Sequence, residues 1–568
     1  MSDSEDDPDY QPPTDEESES MCTYSDATSS EESVELSTSH QHQHSSEAIP
    51  CRSIPNSSWN IPLSDGSRKK QFPFTVDPGM KNIGSDCQTE LDFLFLFLDN
   101  EIIDLMVRMT NSYAIKTQIL KRVTRNSRLS KWNDCDAAEM KKFLGLLIWM
   151  GLKKLPKISD YWSTDVLYEN NVAKRVMSRN RFELLLRCWH FEDAYYIGMT
   201  GTDRLIKIRR FVEILSKKFG QYKTPGEFLT VDETMVAFRG RIAFMQYIPG
   251  KRHKYGIKLF KICDDDGYTY DLIVYEGKRT TSTTQNVSSE IVMKLSDQYL
   301  NAGRSIVTDN YYTSVTLANS LLQKSTHLLG TLRKNRKGLP KELLKEKLKK
   351  GETCVMENND GVLILRWKDK RDVLALSTRH TPSFVSVRSK RNRNKVTMKP
   401  TLIADYNRHK CAIDYSDQMG SYCNPARRSL RWFQKLAIEL LFSTSLINAF
   451  ILFKNSKNLT SKKYTITTFK ENICRTLMGL DQQRRQGRIN QDCSAGHRFG
   501  KSTLVDQRNR IVRRRCIHCY EKKREEGLTS VEACKVTKKV NTVCLLCPSN
   551  PSVCSECFAN FHSAIVRQ

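Results

Sequence analysis

The first fifty residues contain no lysine and no arginine, yet they hold fourteen aspartates and glutamates. "MSDSEDDPDY" therefore offers neither the basic stretch nor the apolar stretch of a secretory leader, and none is expected. Uninterrupted apolar runs of membrane length are also missing. "FLGLLIWMGL" (Phe143–Leu152) is too short to cross a bilayer. "LAIELLFSTSLINAFILF" (Leu436–Phe453) is broken by Glu439 and Asn448, so it reads as a buried core helix of a soluble protein with no membrane partner. Paired cysteine spacing is almost absent before residue 493, where ten cysteines lie scattered. The other eight fall in the last 76 residues, and without a leader that concentration favours metal over disulfides. No internal repeat is present.

What remains is a long and unevenly charged chain. Its 568 residues suffice for several cores, and its net charge is +26. Setting aside the fourteen acids of the head leaves about +40 on the remainder, a surplus that suits DNA or RNA. Residues 1–84 are rich in Ser, Thr, His, Gln and acids and should form a disordered acidic tail. Serines beside acids in "SDSEDD" and "SSEES" offer phosphorylation sites, with a plain solubilising tail as the alternative.

Periodicity divides the rest. Residues 85–226 show apolar clusters at helical spacing, as in "ELDFLFLFLDNEIIDLMVRM" and "RFELLLRCWHFED". From residue 227 the period changes. "GEFLTVDETMVAF" and "KYGIKLFKICDDDGYTYDLIVYEGK" give three strands, then come a helix and the strand of "RSIVTDNYYTS". Strand, strand, strand, helix, strand is the order that opens an α/β RNase H-like core, here over 227–333 and resumed over 401–422. Residues 334–400 form a basic, β-rich insertion. Residues 423–480 are helical, 481–492 a basic linker, and 493–568 a cysteine-rich domain.

Three aspartates stand where such a core could bring them together. Asp232 and Asp309 end strands, and Asp414 opens a helix, with Asp417 one turn further on the same face. Oxygen-only ligation by several carboxylates suits two Mg²⁺ ions, or Mn²⁺ as a substitute. Any single Asp at such a place is more commonly a turn former or N-cap. Glu233 should point to the strand's opposite face, and Asp264, Asp265 and Asp266 read as a hairpin turn outside the site.

In the tail, Cys516/Cys519, Cys544/Cys547 and Cys554/Cys557 form three CxxC pairs, and His562 follows. Seven ligands overfill one tetrahedral Zn²⁺ and fall one short of two, so His497 or Cys534 supplies the eighth. A cross-brace of two zincs is expected. Basic candidates for phosphate contact are Arg333, Lys334 and Arg336 in "TLRKNRK", and Arg427, Arg428 and Arg431 in "RRSLRWFQK". Trp432 there could stack on an unpaired base, or equally fill a core. "RSKRNRNK" could contact DNA, direct the chain to the nucleus, or be a plain loop.

Ordered phrases resemble one family. "KWNDCDAAEMKKFLGLLIWMGL", "VDETMVAFRGRIAFMQYIPGKRHKYGIKLF", "DNYYTS", "LLGTLRKNRKGLP" and "ADYNRHKCAIDYSDQM" are similar to the piggyBac transposases and their genome-encoded relatives. The resemblance covers about residues 85–568. It implies that Asp232, Asp309 and Asp414 are the catalytic DDD triad and that Asp417 is a further acidic member of the site. The family commonly has Gly two positions before the third aspartate, whereas this chain has Cys411 followed by Ala412. Also implied are flanking helical segments for DNA binding and dimerisation. Cut-and-paste transposition through hairpin ends at TTAA targets is implied too, in a nuclear homodimer acting on transposon ends and target DNA. For the zinc domain the resemblance favours His497 as the eighth ligand and element-end binding helped by Arg513, Arg514 and Arg515. The rival reading is a domesticated DNA-binding protein without strand transfer.

Overall fold

The computed structural model describes residues 49–50, 59–480 and 499–558, apart from 64–65, 121–122, 194–202, 252, 278–286, 389–395, 430, 458, 460–463, 507–509, 546 and 548. The chain divides into two compact units, Met1–Met478 and Gly479–Gln568.

The first unit opens on helices whose starts are written in the sequence. Thr89 and Asp92 cap each other's backbone at α1 (Glu90–Phe95). After α2 (Asn100–Leu120), Asp136 caps α3 (Ala137–Leu152), and Ser178 caps α4 (Arg179–Cys188). α5 (Arg209–Phe219) leads into the sheet. α3 is apolar nearly all round because it is covered nearly all round, with Met140, Phe143, Leu144, Leu146, Leu147 and Ile148 buried.

The strands follow: β1 (Phe228–Ala237), β2 (Tyr255–Cys263), β3 (Thr269–Val274), β4 (Ser305–Thr308) and β5 (His327–Thr331). β1 pairs antiparallel with β2, and β2 with β3, while β4 lies parallel to both β1 and β5. All four residues of β4 are buried, as a strand flanked on both edges and covered on both faces requires. The helix α6 (Val315–Leu322), capped by Ser314, joins β4 to β5.

Within 334–400, three strands join the core sheet, while Phe384–Arg388 and Val396–Pro400 pair as a separate hairpin. After the short α7 (Lys341–Lys345), β6 (Thr353–Asn358), β7 (Leu363–Lys368) and β8 (Asp372–Ser377) form antiparallel pairs, and β8 adds antiparallel to β5. One mixed sheet thus runs β6-β7-β8-β5-β4-β1-β2. Its core joins Val307 and Leu329 to Val355, Leu365 and Ala375, under Leu402 and Ile403 of α8 (Thr401–His409).

The chain then returns through α9 (Ala412–Ser421), α10 (Trp432–Glu439), a π-helical turn at Leu440–Ser445, α11 (Leu446–Ser456) and α12 (Ile466–Leu477). These late helices complete the early block. Phe453 meets Phe93 edge-on, with ring centroids 5.5 Å apart. A Cβ on Gly145 would lie 2.9 Å from Met478 Cγ, so α3 and α12 touch only because that residue is glycine. Trp432–Ser456 is long and apolar enough to cross a membrane, but 94% of its most apolar window is buried inside the protein, as a core helix requires.

One boundary moves. The expected tail 1–84 includes residues 59–84, which the structure describes in contact with the sheet rather than as a free tail. Trp59–Asn60 pairs with β6, and Gly79–Met80 with Lys223–Thr224. Lys69, 2% exposed, forms a 2.7 Å ion pair with the equally buried Glu357 and donates to Gly361 O. The apolar phrases "WNIPL" and "FPFTV" give this stretch enough to bury, which the polar average of the whole head conceals. Ile49–Pro50 also pairs with β6, in parallel, while residues 1–48 and 51–58 and the linker 481–492 lie outside the described residues.

His190 stacks on Tyr113 at 3.5 Å beneath Phe433, and burial lowers its pKa to about 4. Its unfolded value is near 6.5, so the unfolded chain binds more protons between pH 4 and 6.5, and stability falls as pH falls through that window. Equilibrium denaturation at pH 7 and pH 4.5 should show a smaller acid loss in His190→Phe, by up to about 3 kcal/mol.

Candidate active site and cysteine cluster

Register brings the first two aspartates together. Val231 pairs with Thr308 across the parallel β1–β4 ladder, so Asp232, which lies inside β1 rather than at the strand end expected, stands beside Asp309, the residue that follows β4. Such strands lie about 4.8 Å apart. Both carboxyl pKa values are raised. For Asp232 the causes are burial, then Glu233 and Asp309, against Lys251 and the Glu233 N–H. For Asp309 burial leads again, opposed by the backbone N–H of Tyr311, which donates to its carboxylate at 2.8 Å.

The helix that carries the other two acids lies against the same strand. Ala412, Ile413, Ser416 and Met419 form the buried face of α9. Thr234, two residues beyond Asp232 on the same face of β1, donates to Asp417 at 2.8 Å. Lys261 on β2, 1% exposed, lies 3.6 Å from Asp417 and 3.6 Å from Glu439 at the end of α10. Burial pushes the Asp417 carboxyl up to about 6, with Lys261 and Thr234 opposing and Glu439 reinforcing. Asp414, one turn earlier, is exposed.

Lys251 links the parts. Its ammonium donates to Glu233 O at 3.3 Å. Burial lowers its pKa, but Asp232, Glu233, Asp414 and Asp417 together raise it above the ordinary lysine value. One ammonium that senses two strand residues and both α9 carboxylates marks a shared anionic pocket. Its donor set is all oxygen, which fits a hard divalent cation such as Mg²⁺ or Mn²⁺. The aspartates are less tightly gathered than the cysteines. Among the described residues, the group of His, Cys, Asp or Glu whose ligand atoms all lie within 4.8 Å of one another is Cys516, Cys519, Cys554 and Cys557.

That group lies in the second unit. Cys516 precedes α13 (Ile517–Glu525), and α14 (Ser530–Val536) follows. Cys519 Sγ is 3.3 Å from Cys557 Sγ and 3.9 Å from Cys554 Sγ. Four thiolates at about 2.3 Å from a tetrahedral Zn²⁺ would lie about 3.8 Å apart, so the cluster fits zinc. The Cys554 N–H also points at Cys516 Sγ, 3.3 Å away. The first and third CxxC pairs meet, and Cys544 and Cys547 stand outside the group. Two of the other expected ligands, His497 and His562, lie outside the described residues. Cys534 is not in the cluster; its carbonyl accepts from Arg515 Nε.

A family model described as Transposase IS4 matches residues 89–450. A cryo-EM structure of a piggyBac transposase synaptic complex with hairpin DNA superposes with a TM-score of 0.63 at 25% identity, covering 85% of this chain and 100% of that one. The chain belongs to the piggyBac transposase family. Human PiggyBac transposable element-derived protein 3 is 26% identical over 381 residues, 65% of this chain and 61% of that protein. Human PiggyBac transposable element-derived protein 5 is 24% identical over 441 residues, 74% of this chain and 81% of its own. The match thus spans under two thirds of the first of these relatives.

Within this piggyBac-family chain the basic candidates divide. Arg333 and Arg336 brace the loop after Asp309: Arg333 Nε donates to Asn310 Oδ1 at 2.9 Å, and Arg336 donates to Asn310 O at 3.0 Å and to Tyr311 O. Lys334 pairs with Asp372 at 3.1 Å. Arg427 and Arg431 have internal partners that the sequence did not reveal. Arg427 donates to Leu155 O, Pro156 O and Tyr161 Oη, and Arg431 to Leu186 O and Arg187 O. Trp432 packs edge-on against Phe244 and Phe433, the core alternative, while Arg428 is exposed. Arg513, Arg514 and Arg515 are exposed on the second unit.

The acids of the β2–β3 turn, expected to lie outside the site, have partners of their own. Asp264 and Asp266 both take Lys223 at 2.6 Å, and Asp265 takes His409 Nδ1 at 2.6 Å. Glu233 reaches Tyr312 Oη at 2.9 Å and Lys258 at 3.5 Å, yet its carboxyl also bonds the Asp232 side chain, so it belongs to the acid group from which the alternation of the strand had excluded it. Sequence reasoning missed Lys251, Lys261 and Thr234. A lysine inside the apolar strand "YGIKLFKIC" was a signal for Lys261, and the i+2 rule pointed to Thr234.

Lys261→Met leaves Asp417 and Glu439 buried without their cation. It should cost about 3–5 kcal/mol by denaturant titration, with Lys261→Arg milder. Purified protein should contain zinc by elemental analysis, and Cys554→Ser should lower the content by about one ion per chain.

Proposed function

We propose that this chain is a DNA transposase whose sheet is an RNase H-like core, with Asp232, Asp309 and Asp414 as the catalytic triad. The observation that carries the reading is the register of β1 on β4, which sets Asp232 beside Asp309, with α9 fastened to the same strand face by the Thr234–Asp417 bond. Asp232, Asp309 and Asp414 would hold two divalent cations. When bound, these lower the pKa of a water and offset charge at the phosphorus. Asp417, held by Thr234 and Lys261, positions α9 and so orients Asp414. Arg333 lies beside the Asp309 loop where a scissile phosphate would arrive, and it can neutralise that phosphate's charge.

Family membership supports the wider reading: excision through hairpin ends, insertion at TTAA, two zincs in the tail, a homodimer and nuclear action on transposon ends and target DNA. A second reading, a domesticated DNA-binding protein without strand transfer, is favoured by curated relatives whose names call them element-derived.

Full-length protein with Mg²⁺ or Mn²⁺ and labelled duplexes carrying candidate terminal repeats beside TTAA should give nicks and hairpins. Asp309→Ala should reduce cleavage by at least about 10³-fold while leaving duplex binding in place. Binding without cleavage under either metal would turn the assignment to the domesticated reading.

A further inference from the structure

The β7–β8 turn ends in a cationic tip that the proposed chemistry does not use. Gly351 N–H donates to Lys368 O at 2.7 Å, and Lys368 N–H to Glu352 O at 3.0 Å. These bonds lay Lys349 and Lys350 beside the turn at residues 369–371. Lys349, Lys350, Lys370 and Arg371 are all exposed. The acid beneath them is already taken: Asp372 pairs with Arg366 at 3.0 Å, Lys368 at 3.0 Å and Lys334 at 3.1 Å. Glu352 turns its carboxylate to the Lys349 N–H, which leaves Asp369 as the one other acid in the turn. A surplus of cations held on a rigid strand end is a footprint for a polyanion.

The tip is also continuous with the candidate active site. Lys334, which reaches Asp372, follows Arg333, which reaches Asn310 next to Asp309. A line of positive charge therefore runs from the Asp309 loop along the β5–β8 edge to the turn. That continuity selects duplex DNA, the polyanion the neighbouring site would act on, over an unrelated anion.

We propose that Lys349, Lys350, Lys370 and Arg371 form a second, sequence-independent seat for the phosphate backbone of duplex DNA running on from the active site. This rests on the transposase reading. Contacts of this kind position the duplex and carry no base information. They act through counterion release, so their signature is the salt dependence of binding.

The test compares full-length wild type with the variant Lys349→Gln, Lys350→Gln, Lys370→Gln, Arg371→Gln on a random-sequence duplex over a salt series. A control, Lys70→Gln, Lys217→Gln, Lys294→Gln, Lys324→Gln, removes the same charge from exposed positions elsewhere. Thermal melts verify that both variants fold. The tip variant should lose about 3 to 4 from the slope of log K against log salt, and the control less than about 1. An unchanged slope in the tip variant, or an equal loss in the control, overturns the seat. Metal-dependent nicking of terminal-repeat duplexes by wild type is measured alongside. If wild type nicks while the tip variant keeps its slope, the seat falls and the transposase reading stands. If wild type neither binds nor nicks, both fall.

Discussion

Two carboxylates forced side by side on neighbouring parallel strands are the constraint on which this structure turns. Such a pair is unfavourable in a partly buried place, because burial raises both pKa values and the Asp309 charge raises that of Asp232 further. The surroundings make it tolerable. The Glu233 and Tyr311 N–H groups donate to the two carboxylates, Lys251 contributes an ammonium, and Arg333 sits by the next residue. The pair cannot drift apart to relieve the repulsion, since the β1–β4 ladder is flanked by β2 and β5. A divalent cation is what such a pocket attracts, and the whole sheet bears the cost of keeping it ready.

The α9 side of the pocket is built on a different principle. Asp414 is left exposed, while Asp417 one turn on is committed to Thr234 and Lys261. Lys261 also meets Glu439, so one buried ammonium ties β2, α9 and α10 together. Removing it would leave two acids facing each other under the protein surface. The fixed acid sets the position of the free one.

Much of this was legible in the residues. Apolar clusters at helical spacing located the early helical block, and the change from helical to alternating period located β1. That the acids of β1 and β4 could meet was legible from the strand order, although Asp232 lies within β1 rather than at its end. What could not be read depended on long-range packing. Lys251 lies in a loop with no pattern and owes its importance to residues up to 166 positions away. Arg427 and Arg431 read as phosphate ligands because a basic cluster looks the same whether it faces DNA or caps the carbonyls at Leu155 and Arg187. The continuity of residues 334–400 with the core sheet was equally hidden, because strand periodicity says nothing about which neighbour a strand takes.

The helical block has a consequence for how the chain is made. Its first members emerge at residues 90–95, yet Phe93 packs on Phe453, and Gly145 waits for Leu477 and Met478. Synthesis at about 5–20 residues per second leaves those apolar faces uncovered for tens of seconds. Nor can the late run Leu436–Phe453 cover itself; its burial requires helices made more than three hundred residues earlier. A nascent chain stopped anywhere before α12 therefore lacks a closed core, and chaperone engagement during that interval is built into the order of the helices.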